Sequence, residues 1–285
     1  MSVRIVTDTS CDLPPDLEQQ LLAMGVTIVP FIFSFGLQQC LDKSISMQEF
    51  VTRAGSQWPT TSVPSTGAFA QAFAKHTEAG DQVVCITVTS NHSATYSAAV
   101  AAGKQFAPGQ VTVVDSRSLS LGQGILVLAA ARAASAGQSP DEIVSTIDDL
   151  RQRLHLYITL DTVEYLVKGG RASRMSGIMA GLLRIRPVLT LVDGELTLLD
   201  RQRGRKAAKR RIIDLAQSHF PAEHVGVAHI ACEEEAQALV SDLAAQTGYP
   251  EEQISLNETG MVLATHGGPG TLGIAVVSQR ARAEQ

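Results

Sequence analysis

The chain has 285 residues, with 45% hydrophobic and 18% charged residues and a formal net charge of −5. This is globular rather than disordered composition, and a chain of this length buries enough surface to fold without disulfide or metal staples. Its mild acidity argues against a general nucleic-acid or anionic-membrane binder.

Short β-branched runs alternate with longer amphipathic stretches. Val3 to Thr7 reads as a strand, and a turn through Pro14 and Pro15 opens a helix near Asp16 to Met24. Val26 to Phe35 reads extended, Ser46 to Gly55 helical, and Gly67 to His76 helical. Val83 to Val88 is a buried strand followed by a helix from about Ser93 to Phe106. Val111 to Val114 is another strand, and Gly124 to Ala136 another helix. Strand and helix alternating at this rhythm predict βαβ units and a parallel sheet.

A softer boundary falls between Gln138 and Leu160, where Ser139-Pro140-Asp141-Glu142 starts a helix that ends near Leu154. The second half is less regular. Asp193-Gly194 between apolar flanks signals a type I′ hairpin. Val225 to Ala231 reads as a strand, Glu233 to Thr247 as a helix, Met261 to Thr265 as strand-like and Thr271 to Val277 as a strand. Arg280 to Gln285 reads as a frayed tail.

The four cysteines have neither CxxC spacing nor a histidine at zinc-finger distance, so the expectation is a reducing, cytoplasmic compartment and no structural zinc. The N-terminus lacks the pattern of a signal peptide, and the longest apolar segment, Ile125 to Ala131, is far short of the ~20 residues of a membrane span. No cofactor is expected. The one GxGxxG string, Gly268 to Gly273, is followed by too little chain for a dinucleotide-binding unit.

Three hydroxyl-rich segments are the informative feature. They are Thr60 to Ser65, Thr89 to Thr95, and Asp115 to Ser120. The latter two follow strands, and ligands of open parallel sheets bind at the carboxyl ends of strands. Helix N-termini there favour an anion. Each segment taken singly also reads as a helix cap or turn. His266 precedes a loop with three glycines that lets a ligand approach, although a lone histidine is more often a satisfied structural residue. Lys168-Gly169-Gly170-Arg171 offers a close backbone approach and a cation, or simply a helix C-cap. Seven of the eleven residues from Arg201 to Arg211 are cationic, which suits either a solvated helix face or docking of an acidic or phosphate-bearing partner.

Together, in order from about residue 3 to residue 278, these strings resemble the DegV family of bacterial fatty acid-binding proteins. The family's T-S-x-P-S element resembles Thr61-Ser62-Val63-Pro64-Ser65, and its S-S-x-x-S-G-T-Y element resembles Thr89 to Tyr96. Val114-Asp115-Ser116, Tyr165 to Arg171, His266 to Gly273 and the opening Thr7-Asp8-Thr9 match further elements.

The resemblance implies a two-lobed α/β fold over residues 3–278, followed by a tail at 279–285. The N-terminal lobe, about 3–155, would hold a mainly parallel sheet with flanking helices, and a second α/β lobe would cover about 156–278. It implies a long-chain fatty acid in an apolar tunnel. The carboxylate would be held by Thr61 and Ser62, Ser93 and His266, with Arg171 nearby. It further implies a non-enzymatic carrier that presents the carboxylate to a fatty-acid kinase subunit for acyl-phosphate formation. In that reading Arg201, Arg203 and Arg205 dock the partner, with neither nucleic acid binding nor stable membrane insertion.

Three positions depart from the family pattern: Val63 for Gln, Ala94 for Gly and Ala172 for Ile. Ala94 is expected to cost backbone freedom beside Ser93, and the other two to alter the tunnel. Two other readings compete. One is an acyl hydrolase with Ser93 as nucleophile, His266 as base and Asp115 as orienter, although no nucleophile elbow surrounds Ser93. The other is a nucleic-acid-binding regulator acting through the basic run.

Overall fold

The computed structural model describes residues 2–172 and 185–280. The first part of the chain forms β1 (Val3–Asp8), α1 (Pro15–Ala23), β2 (Thr27–Val29), β3 (Ile32–Phe35), β4 (Gln38–Leu41), α2 (Met47–Ala54) and β5 (Pro59–Ser62). Next come α3 (Thr66–Thr77), β6 (Gln82–Thr87), α4 (Thr95–Gly103), β7 (Val111–Asp115), α5 (Ser120–Ser135) and α6 (Pro140–Arg153). They are followed by β8 (Leu154–Thr159), α7 (Glu164–Lys168), β9 (Arg186–Val192), β10 (Glu195–Gln202) and α8 (Arg205–Gln217). The chain continues with β11 (Ala222–His229), α9 (Glu233–Thr247), β12 (Ser255–Glu258), α10 (Met261–Gly267) and β13 (Leu272–Ser278).

Among the described residues the strands form three sheets. The order β2-β1-β6-β7 is parallel throughout, as the strand and helix alternation predicts. A six-stranded sheet, β10-β9-β8-β13-β11-β12, is antiparallel except for the β11 and β12 pair. A small antiparallel sheet, β4-β3-β5, completes the α/β fold.

Helix α5 explains how the larger sheets share a core. Its residues from Ser120 to Leu128 are all buried, so this N-terminal half is enclosed on every side, while Arg132 and Ser135 near its end are exposed. Leu121, Ile125 and Leu128 pack in one cluster with Ile5 and Val84 of the parallel sheet and with Leu156, Ile158 and Ala275 of the six-stranded sheet. Side chains alternate across that second sheet. Tyr157, Ile274 and Val276 therefore face the other way, onto Ile212 of α8 and Leu239 of α9.

Local chemistry sets the helix starts. Ser46, Ser65 and Ser139 each accept a hydrogen bond from the backbone N–H three residues on, and Ser139 with Glu142 forms a full capping box. Asp193 and Gly194, at φ 48° and 83°, make the left-handed turn read from their dipeptide.

Several expectations are corrected. Val26 to Phe35 is not one extended run: it breaks after Val29 into strands of two different sheets. Thr61 and Ser62 lie on strand β5 rather than in a loop. Met261 to Thr265 is helical, as the start of α10. Five residues are too few for periodicity to separate helix from strand, and here tertiary partners cap the helix. The Asp42 carboxylate accepts from Val262 N, and the Asp12 carboxylate accepts from Gly260 N. Ala94 stands at φ −80°, an ordinary conformation, so its replacement of glycine carries no backbone strain. Ala172 packs against the main core cluster. Of the expected tail, residues 281–285 lie outside the described part.

Candidate functional site

The fold brings β5, α7 and α10 together. Thr61 pairs with Phe33 in the small sheet, and its Oγ1 lies 3.0 Å from His266 Nε2 on α10. Ser62, next along the strand, is exposed. The alternation of β5 therefore gives His266 to Thr61 and turns Ser62 away.

His266 is held tightly. Burial, then the charges of Arg171 and His92, push its pKa down to about 3, so the ring is neutral at pH 7. Its Nδ1 is buried without a hydrogen-bond partner among the described residues. Gly169 accounts for the ring's position: a Cβ there would collide with Nδ1. Gly268, at φ 79°, has the same relation to the Tyr165 ring. Tyr165 in turn packs on Trp58 at 4.8 Å between ring centroids, and Lys168 Nζ lies 4.4 Å above the Trp58 ring. The Tyr165–Arg171 and His266–Gly273 strings thus interlock through glycines that permit close approach. Arg171 donates from Nη1 to the Gly169 carbonyl at 2.6 Å.

Ser93 opens the turn before α4. Its Oγ lies 2.7 Å from Thr95 Oγ1 and accepts from Thr95 N. The neighbouring loop residues clasp the β9 and β10 hairpin. Thr89 Oγ1 donates to Gly194 O at 2.8 Å, Asn91 Nδ2 donates to Asp193 O at 3.0 Å, and Leu196 N donates to His92 Nε2 at 2.8 Å. Asp115 accepts from Ser90 N and Arg117 N. Ser93, His266 and Asp115 therefore belong to three separate hydrogen-bonded arrangements.

Beside His266 lies a cavity with mainly apolar walls. Leu156, Ile158 and Leu160, Leu166 of α7, Leu189 of β9 and Leu196 of β10 line much of it, with Gly273 and Ala228 leaving space on the sheet. His266 and Ser120 are among its few polar contributors.

A buried polar group that sequence reading missed supports this wall. Ser120 Oγ donates to Asp12 Oδ2 at 2.9 Å, and Lys43 Nζ lies 3.3 Å from Asp12 Oδ1. Burial raises the pKa of both Asp12 and Asp42, opposed in part by the charge of Lys43 at Asp12 and by the Val262 N–H at Asp42. These carboxylates fix the N-terminus of α10, and hence His266. The only sequence signal for them is the Asp-Lys pair at Asp42 and Lys43 just after β4, which reads as an ordinary turn.

The basic run divides in two. Arg205 pairs with Asp161 at 2.9 Å and with Glu235 at 2.5 Å, and donates to the Gly270 carbonyl at 2.8 Å. It is part of the frame that holds the loop after His266. Arg211 pairs with Asp200 and Lys209 with Glu235. Arg201, Arg203, Lys206 and Arg210 are exposed.

Residues 2–279 match the family described as uncharacterised protein, DegV family. The chain belongs to the DegV family. A DegV domain-containing protein of Deinococcus radiodurans is 36% identical over 289 residues, covering 97% of this chain and 98% of that one. A DegV family protein of Thermus thermophilus, solved as a fatty acid-binding protein, superposes with a TM-score of 0.88 at 31% identity. That match covers 98% of this chain and 100% of the other. DegV of Bacillus subtilis, a fatty acid-binding protein, gives 0.86 at 27% identity over 98% and 100% of the two chains. The DegV fold thus accounts for the whole described chain. No helix among the described residues is long and apolar enough to cross a membrane.

Proposed function

We propose that this protein binds one long-chain fatty acid, with its acyl chain in the apolar cavity and its carboxylate at Thr61 and His266. Ser93 completes the carboxylate site, Arg171 lies beside it, and Ser62 is outside it. The observation that carries this reading is His266, which pairs with Thr61 while lining a cavity whose walls are mainly leucine, isoleucine, alanine and glycine, with Ser120, His229, Thr259 and Thr271 as the other polar residues. The fatty acid-binding relatives from Thermus thermophilus and Bacillus subtilis support it.

The energetics fit. A sixteen-carbon chain has fourteen methylenes, and at roughly 0.8 kcal/mol each their burial contributes on the order of 11 kcal/mol. Ordering the chain and losing translation offset several of these. A carboxylate at the dry end is costly unless it is hydrogen-bonded. Hydroxyls and a neutral imidazole supply hydrogens without a full counter-charge at the site.

The role is that of a carrier. The bound carboxylate is presented to a partner kinase, which transfers a phosphoryl group from its nucleotide to a carboxylate oxygen. The exposed cations Arg201, Arg203, Lys206 and Arg210 suit docking of that partner, whereas Arg205 serves the fold. An acyl hydrolase has less support, because Ser93 pairs with Thr95 and Asp115 with backbone N–H groups.

Mass spectrometry of lipid released from freshly purified protein is the test. About one saturated or monounsaturated fatty acid per chain is expected. An empty protein that also fails to take up added palmitate or oleate would overturn the reading. Charge reversal at Arg203 and Lys206 should leave lipid content unchanged and slow acyl-phosphate formation, an effect that weakens as salt rises.

A further inference from the structure

Two cavities share one floor. The apolar cavity beside His266 rests on Ile158 and Leu156 of β8 and on Leu189 of β9. A second, more open cleft rests on Leu156 and Leu154 of β8 and on Leu191 of β9. Leu154, Leu156 and Ile158 alternate along one face of the strand, a run of about 13 Å. Ile158 pairs with Leu189, so Leu191 lies two residues further along the neighbouring strand in the same direction as Leu156 and Leu154. The cavities therefore follow each other along the same sheet face. Leu156 is the one residue common to their linings, and it is 5% exposed.

The chemistry changes at that residue. On the His266 side the walls are mainly leucine, isoleucine and small residues. On the far side they are Arg117, Arg151, Gln152, Ser116 and Ser118, with Asp148 and Asp193. Arg151 Nη1 donates to the Asp115 carbonyl at 2.8 Å, and its Nη2 pairs with Asp148. Arg117 Nη1 lies 3.5 Å from Asp193 Oδ1, and both of these side chains are more than half exposed. A guanidinium has five N–H donors, so these contacts leave most of them available. Arg117 and Arg151 both line the cleft, and burial, then the nearby charge of Arg117, lowers the Arg151 pKa.

We propose that this cleft is a far-end subsite of the same ligand site, partitioned from it by the Leu156 side chain, and that it admits long-chain acids carrying a second carboxylate at the end remote from His266. The inference rests on the fatty-acid reading above. A methyl end gains nothing by leaving leucine and isoleucine for a polar cleft. A carboxylate end is costly in the apolar cavity and finds charged donors beyond Leu156.

Calorimetry on delipidated protein with octadecanoic and octadecanedioic acids tests this. The readout is the ratio of the two affinities in the parent, in Arg151→Gln, in Arg117→Gln and in Leu156→Ala. Each arginine variant should weaken the diacid by about tenfold, the scale of one charged hydrogen bond, and leave the monoacid unchanged. Arg117 is exposed, so its variant keeps the readout if Arg151→Gln does not fold. Leu156→Ala should shift the ratio toward the diacid. If the monoacid binds but the ratio is the same in the parent and both arginine variants, the subsite is refuted and the fatty-acid reading stands. If neither acid binds the parent, the fatty-acid reading itself fails.

Discussion

Thr61 Oγ1 and His266 Nε2 lie 3.0 Å apart although 205 residues separate them in the chain. The contact joins the small sheet to α10 at the wall of the apolar cavity. Thr61→Val keeps the shape and β-propensity of the residue and removes the hydroxyl. It should retain the fold and weaken fatty-acid binding by about 1–3 kcal/mol, the cost of one missing partner to a charged acceptor. Titration of delipidated protein with palmitate measures this. Parent affinity in the variant would remove Thr61 from the carboxylate site.

Gly169 is the second test of the same corner. A methyl group there would collide with His266 Nδ1 and press on the Tyr165 carbonyl. Gly169→Ala should therefore displace the imidazole while the distant core stays intact. Lipid content should fall, with the circular dichroism spectrum unchanged. Full lipid occupancy in Gly169→Ala would show that the ring can move without loss.

Much of the fold was legible because β1, β6 and β7 are short β-branched strands alternating with Ala- and Leu-rich helices, two of which, α3 and α6, start at serine caps. The carboxylate candidates were legible as ordered strings, but their geometry was not. Nothing in Thr61-Ser62 says which hydroxyl faces inward, since that follows from the register of β5 against β3. The helical state of Met261 to Thr265 depends on Asp12 and Asp42, which are far away in sequence. Arg205 reads as one more surface cation until Asp161, Glu235 and Gly270 are seen around it. These are long-range pairings, and local pattern carries no record of them.

The His266 ring makes a prediction about pH. Its folded pKa, about 3, is below the ordinary value of 6.5. Between those values the folded state binds fewer protons than the unfolded chain. The His266 contribution to stability is thus fully present above about pH 6.5 and is lost as pH falls toward about 3. Buried Asp8, Asp12 and Asp42, with raised pKa values, act in the opposite sense on acidification. Global stability therefore mixes the two effects, and the ring should be followed directly by NMR. In lipid-free protein it should remain neutral down to about pH 5. A carboxylate bound beside it favours the charged form, so palmitate should move the titration upward. A ring that titrates at its ordinary value without ligand would contradict the buried, neutral site.

The last prediction concerns the space for the acyl chain. Gly273 sits on β13 opposite Ile158 and Ala228, and it lines the apolar cavity. A Cβ added there meets only ordinary contacts, the nearest being the Tyr157 carbonyl at 3.7 Å. Gly273→Ala should thus be tolerated and bind nearly as the parent does. Gly273→Leu projects a full side chain from the same backbone position toward Ile158, into space the ligand needs. Displacing even two methylenes at roughly 0.8 kcal/mol each costs the complex about tenfold in affinity. Repacking around the larger residue adds about 1–3 kcal/mol of strain to the protein itself, so thermal unfolding must be followed in parallel. The expected result is a folded Gly273→Leu protein that purifies largely without lipid, beside a loaded Gly273→Ala protein. A folded, fully loaded leucine variant would mean that the acyl chain lies elsewhere.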